Sequence, residues 1–129
     1  MENPAANAIA YDFHHGLLFP HWNEKQHLVD DYYQSIVPRF PYQSTLRQHI
    51  IDRKNETTIG AYIGLIETAS ACQTYRRQTN ESTYQEALNT FRQKLAQCYP
   101  QTEANDDNNS IKITTSSPIY LYLMRKNEN

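Results

Sequence analysis

The chain has too little glycine for the loops that usually bind phosphate groups. Its 129 residues include three glycines, and these do not form a G-x-x-x-x-G-K or a G-x-G-x-x-G pattern. Cysteine is also scarce, since Cys72 and Cys98 are too few for a disulfide framework and do not form a C-x-x-C pair. Long apolar runs and a secretory signal are absent as well. We therefore expect a cytoplasmic protein that does not enter a membrane.

Charge of one sign is not in excess either. The formal net charge is −2, which excludes the general positive surplus of a duplex-DNA-binding protein. The 39% hydrophobic share includes ten tyrosines, so the core is lean. The length fits a single domain, residues 1–129, with a flexible arm at residues 1–9 and a mobile polar loop at residues 101–110.

Apolar residues at helical spacing predict four helices. The predicted helices cover about residues 24–37, 44–55, 57–78 and 82–99, and Ser82 is the expected N-cap of the last one. Residues 111–113 and 119–124 are rich in β-branched and aromatic side chains, which favours strands. The sequence thus predicts a mainly α fold, or an α+β fold with a small sheet formed by the N- and C-terminal segments.

Histidine is unevenly distributed along the chain. Four of the five histidines lie in one short stretch, namely His14, His15, His21 and His27. Neutral imidazole binds zinc and other transition metals, so a metal-dependent enzyme or sensor is one alternative function. The spacing does not match a known metal motif, because adjacent histidines face opposite ways in a strand and a proline precedes His21. We therefore favour no metal site and no cofactor.

A second alternative is binding of RNA or single-stranded DNA. Such binding needs cations for phosphates and aromatic rings for unpaired bases. The candidate residues are Arg47, Arg53, Lys54, Tyr75, Arg76 and Arg77. Arg76 and Arg77 also fall in the last turn of a predicted helix, where the helix dipole favours positive charge in any protein. We therefore consider nucleic acid an unfavoured partner.

The abundance of tyrosine favours a protein partner. Tyrosine and tryptophan dominate the energetics of interfaces, because a large rigid ring is ordered at low entropic cost. The candidate surface, which two aspartates would make attractive to a basic partner, comprises Trp22, Asp30, Asp31, Tyr32 and Tyr33. No catalytic arrangement is evident, so we expect a non-enzymatic binding module of the inhibitor or immunity-protein type. A homo-oligomer such as a homodimer is a related expectation, since a symmetric neighbour can complete a thin core.

Overall fold

The computed structural model describes residues 1–100 and 107–126, and the fold is α+β. The chain divides into two compact units. The first unit comprises Met1–Trp22 and Lys54–Thr115, and the second comprises Asn23–Arg53 and Ser116–Asn129. Within the described ranges, no helix is long and apolar enough to cross a membrane.

The first unit begins with helix α1, Pro4–Asp12. The Asn3 side chain caps this helix by accepting hydrogen bonds from the backbone amides of Ala5, at 3.0 Å, and Ala6, at 3.2 Å. Pro4 occupies the first turn, where its missing amide hydrogen has no cost. Ala6 is fully buried. Most of the segment predicted to be an arm therefore belongs to a capped helix that packs into the core.

Two helices replace the single one predicted over residues 57–78. Helix α3 covers Ile59–Glu67 and helix α4 covers Ser70–Gln78. The backbone of Ala69 is extended, and the Gln73 side chain donates a hydrogen bond of 2.6 Å to the carbonyl of Glu67 at the end of α3. A glutamine that satisfies a helix-terminal carbonyl stabilises the break. The apolar period continues across it, so the sequence pattern did not reveal the interruption.

Helix α5, Glu81–Gln97, confirms the helix predicted over residues 82–99. Its N-cap is Asn80 rather than Ser82, because the Asn80 side chain accepts a hydrogen bond of 2.8 Å from the amide of Thr83. Its predicted apolar face is buried through four large side chains, Tyr84, Leu88, Phe91 and Leu95. These side chains pack in one cluster with residues of α1, α3 and α4 and with Ile111 and Ile113.

A two-stranded sheet pairs strand β1, Arg47–Thr58, with strand β2, Lys112–Leu123. At one end the amide of Ile59 donates to the carbonyl of Ile111, at 3.0 Å, and further along the Thr115 hydroxyl lies 3.4 Å from the carbonyl of Asn55. The contacts move backward along one strand by as many residues as they advance along the other, so the pairing is antiparallel.

This sheet corrects three predictions. The helix expected over residues 44–55 is wrong, since most of that segment lies in β1. The sheet does not contain the N-terminal segment around Tyr11, which is helical. Most of residues 111–113 and 119–124, predicted as two strands, lies in one continuous strand, because β2 runs through the intervening serines and Pro118.

The second unit contains the short helix α2, Gln26–Asp30, where a helix of residues 24–37 was predicted. Tyr32 and Tyr33 end it early, since their φ values of 55° and 60° are left-handed. The Tyr32 ring stacks on Tyr120 with centroids 4.3 Å apart, and its carbonyl accepts a hydrogen bond of 2.8 Å from the Tyr122 hydroxyl. Contacts with a strand far along the chain thus offset the unfavourable backbone conformation.

The predicted polar loop of residues 101–110 falls largely outside the described residues. Its last residues form a 3₁₀ turn, Asn108–Ser110, which the Asp107 side chain caps by accepting from the amide of Asn109 at 2.9 Å. This turn lies against the start of α3, where a Cβ placed on Gly60 would come within 2.9 Å of the Asn109 Cβ atom. Gly60 is therefore needed for a close approach.

We predict opposite effects for two substitutions in α3. Gly60→Ala should lower the free energy of unfolding by about 1–3 kcal/mol, because the new methyl group would displace Asn109. Gly64→Ala is the matched control, since no described atom lies within 4 Å of its Cβ position. It should raise the free energy of unfolding by up to about 1 kcal/mol through helix propensity. Urea unfolding of both variants tests this, and a change of the same sign in both would contradict it.

Candidate functional site

A π-helical turn, Phe13–Leu17, follows α1 directly. Its wider hydrogen-bond ring is closed by the amide of Leu18, which donates to the carbonyl of Phe13 at 3.1 Å. The turn directs the Phe13 ring onto Phe91 of α5, with centroids 4.2 Å apart and planes inclined by 11°. Single π-helical turns inside α-helical segments occur frequently at functional sites. Two cavities open beside the π-helical turn Phe13–Leu17.

The first cavity is called cavity A. Helix α1 and the π-helical turn form one side of it, and helices α4 and α5 form the other. Its volume is about 370 Å³, which falls in the range of small-ligand sites. Apolar side chains form much of its wall, including Ile9, Phe13, Leu17, Ala87 and Phe91. The stacked and largely buried rings of Phe13 and Phe91 contribute to this wall.

Cavity A also carries charged and hydroxyl groups. Asp12, at the end of α1, and Glu86, on α5, contribute two carboxylates, and Lys94 contributes one ammonium group. Thr83 and Thr90 of α5 add hydroxyl groups, and the helical spacing of Glu86, Thr90 and Lys94 places them on one side of α5. An aromatic surface with opposite charges and hydroxyl groups can bind a polar ligand that contains a ring.

The second, cavity B, has a volume of about 420 Å³ and also lies in the first unit. Phe13 lines both cavities. The other aromatic side chains of cavity B are Tyr11, His14, His15, Trp22 and Tyr62. Half of its lining residues are thus aromatic, and it lacks the charged side chains of cavity A.

The structure separates the four clustered histidines into different environments. The rings of His14 and His15 lie 4.6 Å apart on the π-helical turn. The Nδ1 atom of His21 lies 2.8 Å from the side-chain oxygen of Gln78 in the same unit. His27 belongs to the second unit, where its Nδ1 atom lies 2.8 Å from the carbonyl of Glu24. The metal alternative stays a prediction.

The predicted nucleic-acid-binding residues lie on different elements. Arg47, Arg53 and Lys54 are on strand β1 rather than on a helix. On α4, the Tyr75 ring is buried in the core, and the Arg76 guanidinium makes two hydrogen bonds, of 2.7 and 2.8 Å, to the carboxylate of Glu81. Arg77 is exposed. Tyr75 therefore does not present an open face for a stacked base.

The predicted partner-binding residues are divided between the units. Trp22 lies in the first unit, where its indole nitrogen donates a hydrogen bond of 3.0 Å to the carbonyl of His14 and its ring packs against the core. Asp30, Asp31, Tyr32 and Tyr33 lie in the second unit, and both tyrosines remain partly exposed. A basic protein partner and a homo-oligomer stay predictions.

Two ionisable groups lie in the core between α3, α4 and α5. Burial raises the pKa of the Cys72 thiol to about 11, and the nearby Glu67 carboxylate adds to the shift. Burial likewise raises the pKa of Tyr84 to about 12, with a further contribution from Glu67, which accepts a hydrogen bond of 3.1 Å from the Tyr84 hydroxyl. A thiol with a raised pKa is a poor nucleophile at neutral pH, because little of it is ionised.

Sequence reasoning missed the polar residues of cavity A. The sequence did not single out Lys94, and it favoured neither the Asp12 nor the Glu86 carboxylate as a site residue. The local signal was weak, because Thr83, Glu86, Thr90 and Lys94 resemble an ordinary solvated helix side. Their partners in cavity A come from α1 and the π-helical turn, a segment that was not predicted to be helical.

Comparison with known proteins gives one informative similarity. No family model and no curated protein matches the chain. The fold resembles a solved structure described as "a Putative Type II Methyltransferase from Anaeromyxobacter dehalogenans", with a TM-score of 0.67 and 19% sequence identity. The similarity covers 94% of this chain and 46% of that one. The chain thus spans less than half the length of the methyltransferase it resembles.

This similarity corrects the functional predictions. The expectation of an inhibitor or immunity-type module is wrong, and so is the expectation that the chain is not an enzyme, because the structure it resembles is described as that of a methyltransferase. The reason for the error is physical. The absence of a local catalytic motif does not exclude a site assembled from side chains far apart in sequence.

We predict that the stability of the first unit falls at alkaline pH. The pKa values of Cys72 and Tyr84 rise from 9.0 to about 11 and from 10.0 to about 12 on folding. Their stabilising contributions are complete below the unfolded values and are lost as pH rises through the folded values. The melting temperature should therefore drop between about pH 9 and 12.

Tyr84→Phe provides the matched variant for this prediction. It removes one titrating group and one hydrogen bond, so it should cost about 1 kcal/mol at pH 7 but show a shallower decline above pH 10. Thermal melts followed by circular dichroism measure both effects. Parallel curves for the wild-type protein and the variant across this range would refute the role of Tyr84.

Proposed function

We propose that this protein takes part in methyl transfer and that cavity A binds the methyl donor. The observation that carries the proposal is the fold similarity to a methyltransferase over 94% of the chain. The chemistry of cavity A supports it independently. Cavity A is large enough for a small cofactor and combines an aromatic surface with charged groups of both signs.

The charges of cavity A complement those of a sulfonium donor such as S-adenosylmethionine. This molecule carries two positive charges, on its sulfonium and ammonium groups, and one negative charge on its carboxylate. Cavity A presents the opposite set, with the Asp12 and Glu86 carboxylates and the Lys94 ammonium group. Electrostatic complementarity of this kind sets both orientation and specificity.

Side chains would hold the donor in place of a glycine-rich loop. The apolar wall that includes Ile9, Leu17 and Ala87 would contact the adenine ring, and the hydroxyl groups of Thr83 and Thr90 are available to the ribose. Lys94 would pair with the carboxylate of the donor, while Asp12 and Glu86 would attract its positive groups. When bound, the donor supplies an electrophilic methyl group that leaves behind a neutral thioether.

We predict that S-adenosylmethionine binds the full chain and that Glu86→Gln weakens this binding by about three- to tenfold. The range follows from the loss of one charge-assisted interaction at a solvent-exposed group. Glu56→Gln is the matched control, because it removes an equal charge from an exposed residue that does not line cavity A. Isothermal titration calorimetry measures both affinities.

A second ligand sharpens this test. S-adenosylhomocysteine lacks the sulfonium charge, so its affinity should depend less on Glu86 than that of the methylated donor. Absence of binding by the donor, or equal affinities for Glu86→Gln and Glu56→Gln, would contradict the assignment of cavity A.

A further inference from the structure

One part of the wall of cavity B is a series of neighbouring aromatic rings, beside aliphatic side chains such as Leu18, Leu65 and Ile66. Its rings follow one another from Tyr11 to His15, from His15 to His14 and from His14 to Trp22, with centroid separations of 4.1, 4.6 and 4.5 Å. Tyr62 of α3 lines the same cavity. The indole of Trp22 is fixed by its hydrogen bond to the carbonyl of His14, so this part of the wall is held in place.

The rings are inclined to one another rather than stacked flat. The angles between successive planes are 32°, 69° and 46° along the series. No two successive rings are parallel, so this series does not form a flat-sided slot for a planar ligand. The arrangement therefore suits a compact, rounded group better than a flat one.

The polarity of the wall further restricts the class of ligand that cavity B can bind. The residues that line cavity B include no lysine, arginine, aspartate or glutamate. Among these lining residues an anion finds no fixed cation, and a primary ammonium group finds no carboxylate to replace the water that it loses. A quaternary ammonium group has no N–H bonds to satisfy, and its diffuse positive charge is attracted by the faces of aromatic rings.

We propose that cavity B is an aromatic cage that binds a quaternary ammonium group. This inference goes beyond the proposed methyl transfer and does not depend on it, because it rests on the rings of cavity B and not on the charges of cavity A. The attraction is between the cation and the ring faces of Tyr11, Trp22 and Tyr62, with the two imidazoles completing the wall.

The test compares choline with its neutral isostere, 3,3-dimethylbutan-1-ol, on the full chain at pH 8. The two molecules have nearly the same size, but only choline is charged. Trp22 is the single tryptophan of the chain and lines cavity B, so its fluorescence reports binding directly. We expect a saturable change with choline and an affinity for the isostere that is at least about tenfold weaker.

A matched pair of variants localises the effect. Tyr11→Leu removes one ring of the wall at a residue that is 60% exposed, and it should weaken choline binding about fivefold. Tyr33→Leu is the control, since Tyr33 is exposed in the second unit and does not line cavity B, so it should leave the affinity unchanged. Circular dichroism verifies that both variants fold.

Two outcomes of the choline experiment would overturn the proposal. Equal or tighter binding of 3,3-dimethylbutan-1-ol would identify an ordinary apolar pocket, and no saturable signal with either ligand would mean that cavity B does not bind this group. Glu86→Gln should not change the affinity for choline, so failure in cavity A and failure in cavity B can be distinguished.

Discussion

The packing of the apolar side of α5 is the interaction on which the first unit depends. Tyr84, Leu88, Phe91 and Leu95 are almost completely buried along this helix, and α1, α3 and α4 all pack against it. Full burial of each large side chain contributes roughly 1.5–3 kcal/mol, so this row supplies a large share of the hydrophobic stabilisation available to a lean core. Phe91, one residue of this row, also lines cavity A. The same side chain thus serves the fold and the candidate site.

Those parts of the fold that depend on local signals were predictable from the sequence. Helix α5 has a strong apolar period and a terminating proline within one continuous segment, although its cap is Asn80 and not the predicted Ser82. The predictions that failed concern segments whose structure depends on distant partners. Strand β1 is exposed along most of its length, so burial imposes no alternation on its sequence, and its pairing with β2 joins residues about sixty positions apart. The premature end of α2 at Tyr32 likewise depends on Tyr120 and Tyr122.

The candidate site was predictable only in part. The sequence drew attention to His14, His15 and Trp22, and the structure brings these three side chains to the wall of cavity B. It did not identify cavity A, because Asp12 and Lys94 meet there only after α1 and α5 have packed together. The π-helical turn also escaped prediction, although it positions residues of both cavities. A search for contiguous catalytic motifs is therefore uninformative for a chain of this kind.

The shared position of Phe13 has a thermodynamic consequence. Phe13 lines both cavity A and cavity B, and the π-helical turn determines where its ring lies. An occupant that shifts the ring to enlarge one chamber necessarily alters the space in the other. Linkage requires such an influence to be mutual, with each occupant changing the affinity of the other by the same factor. One phenylalanine thereby makes two chemically different chambers into a coupled pair.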